Sequence, residues 1–344
     1  MSSDARSLML QEALSAADCV ARQLAADGER YAALGRHLRD ARIHNAVTVA
    51  RGSSDHASSY IAYLVMARLG KLVTSLPMSL LTLYNAPLQA QDLVALSVSQ
   101  SGQSPDVVEP MRYFRAGGAT TIALVNEIAS PLAQAAEWAL PLGAGKETSV
   151  AATKSFITSL TAGARLVAEW QQDAALQAAL QALPDALRQA AQADWSAAIE
   201  VLAPARNIMV VGRGIGYPIA QEAALKFKET SALQAEAFSG AEIKHGPMAL
   251  IDDGYPLLIF ATRGPAQAGL VALADEMRGR GARVLLAAPA DVPGRDLDLP
   301  TAPHPDLDPI VAIQAFYVMA AHLAKARGLD PDRPRHLSKV TRTS

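Results

Sequence analysis

The stretch Leu93-Val94-Ala95-Leu96-Ser97-Val98-Ser99-Gln100-Ser101-Gly102-Gln103-Ser104-Pro105 decides how this sequence is read. Leu93 to Ser97 has the apolar character of a buried strand, and it runs straight into a hydroxyl-rich loop and a helix start. Ser104 stands at the N-cap and Pro105 at the first helical position, so the free backbone N–H groups of that turn point back at the loop. Those amides favour an anion. Ser99, Gln100, Ser101 and Ser104 add side-chain donors, Gly102 permits a tight backbone path, and no Lys or Arg lies within the loop. The pattern fits a cradle for a phosphate that must leave again. An ordinary serine-rich strand-to-helix turn would be spelled the same way, so the rest of the chain has to decide.

Outward from that stretch the same beat recurs. Strand Ala46 to Ala50 ends in Arg51-Gly52-Ser53-Ser54-Asp55 before the helical pattern of Tyr60, Ile61, Leu64, Val65 and Leu69. Thr120 to Val125 is followed by a helix opening at Ser130-Pro131, and Ala139 to Leu142 adds a short strand. Apolar strands alternating with helices imply parallel strands with crossover helices, hence a layered α/β/α sandwich. A long helix is expected over Val150 to Gln171, then an alanine- and glutamine-rich connector to about Asp194. The pattern then restarts with strand Ile208 to Val211, the turn Gly212-Arg213-Gly214-Ile215-Gly216 and a helix near Pro218. Arg213-Gly214 lies 162 positions after Arg51-Gly52, Thr262 lies 163 after Ser99, and Ala282 lies 163 after Ala119. Near-constant offsets predict two copies of one α/β fold related by duplication. The glycines at 212, 214 and 216 match a dinucleotide fingerprint poorly, because no acidic residue follows a second strand at the expected distance. At the loop position the second copy has Thr262-Arg263-Gly264-Pro265, so one phosphate site per chain is expected, in the first copy. Ahead of both copies, Leu8 to Arg42 has helical spacing. The resulting plan is a helical lead-in at 1–35, a phosphate-binding domain at 36–175, a second domain at 195–330 and a tail at 331–344 that closes the active site.

Composition narrows the function classes. The 344 residues are 50% hydrophobic, ample for two cores. Lys plus Arg number 31 against 33 Asp plus Glu, a balance that gives no footprint for nucleic acid or an anionic membrane and favours a small-molecule partner. Cys19 is the single cysteine, so no intramolecular disulfide can form. Met1 to Leu14 carries Asp4, Arg6 and Glu12 without a signal-peptide block, and no uninterrupted apolar span of membrane length is read. A cytoplasmic location is the expectation.

Three later stretches could carry proton and carbonyl chemistry. The helix Pro218 to Ser231 contains Glu222, Lys226, Lys228 and Glu229, a charge run that also reads as a solvated face. His245, in Lys244-His245-Gly246-Pro247, sits where an imidazole could reach solvent and substrate, or serve only structure. Asp330 to Pro334 breaks the last helix, and Leu337 and Val340 bracket Lys339, a spacing that predicts a tail packed down by its apolar residues. A partly desolvated lysine there becomes a better amine nucleophile.

Ser99-Gln100-Ser101-Gly102, Ala224-Leu225-Lys226-Phe227-Lys228-Glu229, Lys244-His245-Gly246-Pro247 and Pro334-Arg335-His336-Leu337-Ser338-Lys339, in that order, resemble the sugar isomerase (SIS) family. More narrowly, they resemble the isomerase half of glucosamine-6-phosphate synthase and the stand-alone aminosugar-phosphate deaminases. The resemblance implies tandem SIS domains, with Ser54, Ser99, Gln100, Ser101 and Ser104 on the sugar phosphate and Ser53, Val150 and Ser338 facing the sugar. It implies that Glu229 shuttles a proton between C1 and C2, that His245 assists ring opening, and that Lys339 meets the open-chain carbonyl. It further implies a homodimer with shared sites, His245 coming from the neighbouring subunit, and chemistry with no metal or redox cofactor.

Departures accompany the matches. The chain starts Met1-Ser2-Ser3 and enters the sugar-binding part almost at once, so no built-in glutaminase is expected. Arg51 stands where the synthase motif has cysteine, Ser104 replaces a threonine, and the residues after Lys339 differ. Conversion of glucosamine 6-phosphate to fructose 6-phosphate and ammonia is the expected activity. The alternatives are an isomerase or deaminase for another phosphorylated aminosugar or fructosamine, an aminotransferase-like isomerase without the glutaminase domain, and a non-catalytic sugar-phosphate sensor.

Overall fold

The structure, a computed structural model, describes residues 6–339. It opens with three helices, α1 (Leu8–Leu14), α2 (Ala16–Ala25) and α3 (Gly28–Asp40), where the periodicity suggested one helical run. The breaks have local causes: the Ser15 hydroxyl donates back to the Glu12 carbonyl, and Asp27 takes a left-handed conformation at φ 57°. There follow β1 (Asn45–Val49), α4 (Ser53–Leu69), β2 (Leu72–Ser75), α5 (Ser79–Thr82), β3 (Leu93–Ser99), α6 (Pro105–Ala116), β4 (Thr120–Val125), α7 (Pro131–Ala135) and β5 (Trp138–Pro141). Then come α8 (Lys154–Gln171), α9 (Ala174–Ala190) and α10 (Ser196–Leu202). The last stretch is β6 (Asn207–Gly212), α11 (Tyr217–Ser231), β7 (Gln234–Ser239), β8 (Pro256–Phe260), α12 (Gln267–Gly279), β9 (Arg283–Ala288), β10 (Leu297–Asp298) and α13 (Asp308–Ala326).

Two compact units result, one made of residues 18–146 and 154–181, the other of 6–17, 147–153 and 182–339. In the first, five parallel strands take the order β2-β1-β3-β4-β5. Strand residues alternate between faces. Val49, Ala95, Ala123 and Val125 meet Val107, Met111 and Phe114 of α6 and Leu132 of α7. The opposite face, with Val94, Leu96 and Ile122, is covered by Ile61 and Val65 of α4 and Leu166 and Trp170 of α8. Arg165 of α8 lies over the Tyr31 ring of α3 at 4.2 Å and donates to the carbonyls of Gln23 and Ala26, which closes the end of α2.

In the second unit the strand order is β7-β6-β8-β9-β10, again all parallel. Both orders are 2-1-3-4-5 in each unit's own count. Strands begin at 45 and 207, 93 and 256, 120 and 283, so topology and spacing both show the duplicated α/β sandwich. Met209, Val211, Ile259 and Leu286 pack on Leu273 and Met277 of α12, while Phe260 packs on Phe316 of α13, which meets Phe227 of α11 edge-to-face at 5.0 Å. The stretch Pro305–Ala326 is long and apolar enough to cross a bilayer by length and mean hydropathy, although Asp306, Asp308, Gln314 and Lys325 interrupt it, and 89% of its apolar window is buried inside the protein as the core helix of this unit.

Two further expectations are corrected. Helix α8 starts at Lys154, not Val150, because the preceding amides are taken by carboxylates: Glu12 accepts from the N–H groups of Thr148 and Ser149, and Glu147 from that of Thr153 at 3.0 Å. The alanine- and glutamine-rich connector is mostly helix, α9, with Leu176, Leu180, Leu183 and Leu187 buried.

Candidate functional site

Strands β1 and β3 are neighbours although β2 lies between them in sequence, so the sheet reverses direction of winding between them. Ligands in open α/β sheets settle beyond the carboxyl ends of strands at such a switch point. The loops that leave these two strands are Ala50 to Gly52 and Gln100 to Ser104. Ser53 and Ser54 open α4 behind the first loop, and Pro105 opens α6 behind the second. Ser99 Oγ accepts from the Gly102 N–H at 2.9 Å, which curls the loop, and Ser101 Oγ receives only a long contact of 3.4 Å from the Gln103 N–H. Ser104 occupies the N-cap as expected, but its side chain makes no capping hydrogen bond, a correction that leaves its hydroxyl to other uses.

Gly102 holds φ at 62°, and a Cβ there would lie 2.2 Å from Ser130 Oγ and 2.6 Å from Ser130 Cβ. Gly102→Ala should therefore cost about 1–3 kcal/mol through strain and overpacking. On the expectation that the loop cradles a phosphate, the variant should also lose inorganic phosphate binding; denaturant unfolding and phosphate titration read the two effects separately.

Sequence reading placed no cation within the loop, and the structure puts one beside it. Arg51 Nε donates to Asp106 Oδ2 at 3.0 Å, and Asp106 lies in the first turn of α6. The Arg51 side chain is 59% exposed and is fastened to the helix that would face the anion. Nearby, burial raises the Asp55 carboxyl above its usual range, although His56, the Ser75 hydroxyl and Arg51 pull it down.

The second unit holds the acid–base candidates. On α11, Glu222, Lys226 and Glu229 are spaced i, i+4 and i, i+3 along one stripe. Sequence spacing allowed a solvated face, but Glu222 is 0% and Lys226 1% exposed, and Glu229 keeps 18% of its side chain in contact with solvent. Lys226 Nζ donates to Glu229 and lies 3.4 Å from Glu222, whose Oε1 also accepts from the Tyr317 hydroxyl at 3.0 Å. Burial alone would lower the Lys226 pKa; the two carboxylates more than reverse that and hold it above the ordinary lysine value. Burial, with Glu222 beside it, drives Tyr317 well above the usual phenol range, so it stays a donor. The outcome is one buried ammonium that fixes Glu229 at the wall of a cleft of about 580 Å³, lined also by Leu225, Lys228, Arg333, Arg335 and Leu337. Lys226, Glu222 and Tyr317 were not singled out as site residues by sequence; the mixed spacing of acid and base on a helix that also carries Ile219, Ala220, Ala223, Ala224 and Phe227 is the available signal.

Of the three predicted catalytic residues, Glu229 lines this cleft, and His245 and Lys339 do not. His245 is exposed where the turn Glu242–Lys244 ends. Lys339 Nζ donates to Glu147 Oε2 at 2.9 Å and to the Ser149 carbonyl at 2.7 Å. The expectation that Leu337 and Val340 pack the tail down is corrected: Leu337 is 48% exposed and Val340 lies outside the described residues, so Lys339 is held by charge. Val150, in the turn after Ser149, is half-buried, and Ser338 is exposed.

The counterpart of the serine loop is already filled. Asp308 accepts from the Arg263 N–H at 3.2 Å, from Arg263 Nε at 2.8 Å and from the Ala302 N–H at 2.8 Å. An internal carboxylate thus occupies the Arg263 amide after β8 and the Ala302 amide after β10. Gly212, read as a weak nucleotide signature, instead lets the turn close on itself, since a Cβ there would lie 2.5 Å from the Gly216 carbonyl oxygen.

Comparison with known proteins agrees with this anatomy. The glutamine–fructose-6-phosphate aminotransferase (isomerizing) of Zymomonas mobilis subsp. mobilis is 34% identical over 326 residues, covering 86% of this chain and 52% of that protein. Its namesake from Aeropyrum pernix is 36% identical over 314 residues, covering 85% and 50%. The chain spans about half the length of these curated relatives. A crystal structure from Silicibacter pomeroyi DSS-3, provisionally named a phosphosugar isomerase, is 39% identical with a TM-score of 0.90 and covers 95% of this chain and 100% of that one. The SIS domain family matches residues 37–168 and 201–326, the duplicated sheets with most of their helices. The chain therefore belongs to the SIS domain family.

Proposed function

We propose that this protein isomerises a sugar phosphate bearing an amino group at C2, and that it works in the deaminating direction: glucosamine 6-phosphate and water give fructose 6-phosphate and ammonia. The observation that carries the proposal is Glu229, a carboxylate fixed by a buried ammonium yet open to a cleft. Moving a proton between adjacent carbons asks for one base that can pick it up and return it, held at a constant angle to both. In this reading His245, contributed by a second copy in a homodimer, helps open the ring. Lys339 engages the C1 carbonyl, Glu229 removes the C2 proton and delivers it to C1, and water hydrolyses the C2 imine, which releases ammonia. The phosphate is assigned to Ser54, Ser99, Gln100, Ser101 and Ser104, and the sugar hydroxyls to Ser53, Val150 and Ser338. Relatives named as isomerizing fructose-6-phosphate aminotransferases support the substrate class. The same relatives favour a second reading, amination of fructose 6-phosphate.

Incubation of the purified protein with glucosamine 6-phosphate in deuterated water tests both. The expected result is release of ammonia together with fructose 6-phosphate, deuterium entering C1 only to the extent that the Glu229 proton exchanges with solvent before it is returned. Amination is favoured instead if aminosugar accumulates from fructose 6-phosphate and ammonium while the forward reaction is slow. Binding with neither ammonia nor deuterium exchange, across neutral and alkaline pH, would overturn the enzyme reading and favour a sensor.

A further inference from the structure

The turn 147–153 is built as a socket before any lysine enters it. Glu12 of α1 accepts the N–H groups of Thr148 and Ser149, so the backbone there is turned with the Ser149 carbonyl outward. Glu147 is fully buried, and its Oε1 accepts from the Thr153 N–H. Its Oε2 and the Ser149 carbonyl oxygen both meet Lys339 Nζ. A buried carboxylate calls for a cation, and leaving it without one is costly.

The segment that brings the cation runs over the surface from Asp332 to Lys339. Asp332 accepts from the N–H groups of Leu8 and Met9, each at 2.7 Å, and Pro334 is buried. From Arg335 to Ser338 every residue is exposed, and Lys339 then makes its two contacts with the turn. We propose that Glu147 is the positioning residue for Lys339: its carboxylate latches the strap 335–339 to the turn that carries Val150 and sets where the Lys339 amine stands. This deepens the proposed function, on which the role of Lys339 rests, yet the latch has a readout that needs no substrate.

Limited digestion with trypsin, followed by mass spectrometry of the whole chain, supplies it. Arg333 precedes proline and resists cleavage, so the bond after Arg335 reports the strap. Cleavage there tracks the open population, and Glu147→Gln, which keeps the Thr153 contact and loses the charge, should raise its rate about tenfold. Lys339→Met should do the same, the double variant should add nothing, and Lys339→Arg should stay protected. Lys339→Arg should nevertheless lose turnover, which separates the latch from the amine's chemistry. Wild-type protection unchanged in Glu147→Gln overturns the proposal. If that variant fails to fold, Lys339→Met decides alone, with fast cleavage in support and wild-type protection against. Should the protein prove inactive on aminosugar phosphates, the cleavage pattern still decides the latch.

Discussion

Glu229→Gln lowers turnover of glucosamine 6-phosphate by about two to four orders of magnitude, the usual contribution of a general base. The amide keeps the shape of the carboxylate and can still accept from Lys226, so the cleft wall should survive. It cannot carry a proton from C2 to C1. The loss should fall on kcat and kcat/KM alike, with substrate binding nearly intact, as expected when an interaction acts only in the transition state. Steady-state kinetics beside calorimetric binding of glucosamine 6-phosphate check it. A variant retaining a tenth or more of the wild-type kcat would remove Glu229 from the proton path.

Lys226→Met has the largest expected effect on stability. The substitution removes the ammonium and leaves Glu222, which is wholly buried, facing the Tyr317 hydroxyl without its counter-charge. Breaking a buried ion pair from one side costs about 3–5 kcal/mol. The urea midpoint should fall with an unchanged slope. Adding Glu222→Gln to the same chain should recover a large part of the loss, because the charge left behind is then gone. A single variant as stable as wild type would mean that Glu222 takes up a proton in the folded state and that Lys226 is not its necessary partner.

Legibility in the sequence followed burial. Strands β1, β3, β4, β6, β8 and β9 are interior, and their apolar runs announced them. β2 and β7 are edge strands with mostly half-exposed or exposed residues, and a run such as Gln234-Ala235-Glu236-Ala237 carries no strand signature of its own. The serine loop was readable because capping and turn chemistry are local, within a few residues of Gly102. The grip on Lys339 was not. Its partners Glu147 and Ser149 lie about 190 positions earlier, and no local periodicity registers such a pairing. For α11 the failure was different: the helix is buried nearly all round, so spacing alone could not tell an interior ion pair from a solvated one.

The Asp308 carboxylate sets the two halves of the duplication apart. One half carries an anion of its own chain at this loop, the Asp308 carboxylate, tied to backbone amides and to Arg263, so that loop calls for no dissolved anion. The other, in the reading that assigns a phosphate to its serines, is completed by a metabolite. Its free energy then follows the cell's supply of that compound, so one loop is closed by its own sequence while its counterpart is tightened or loosened by metabolism.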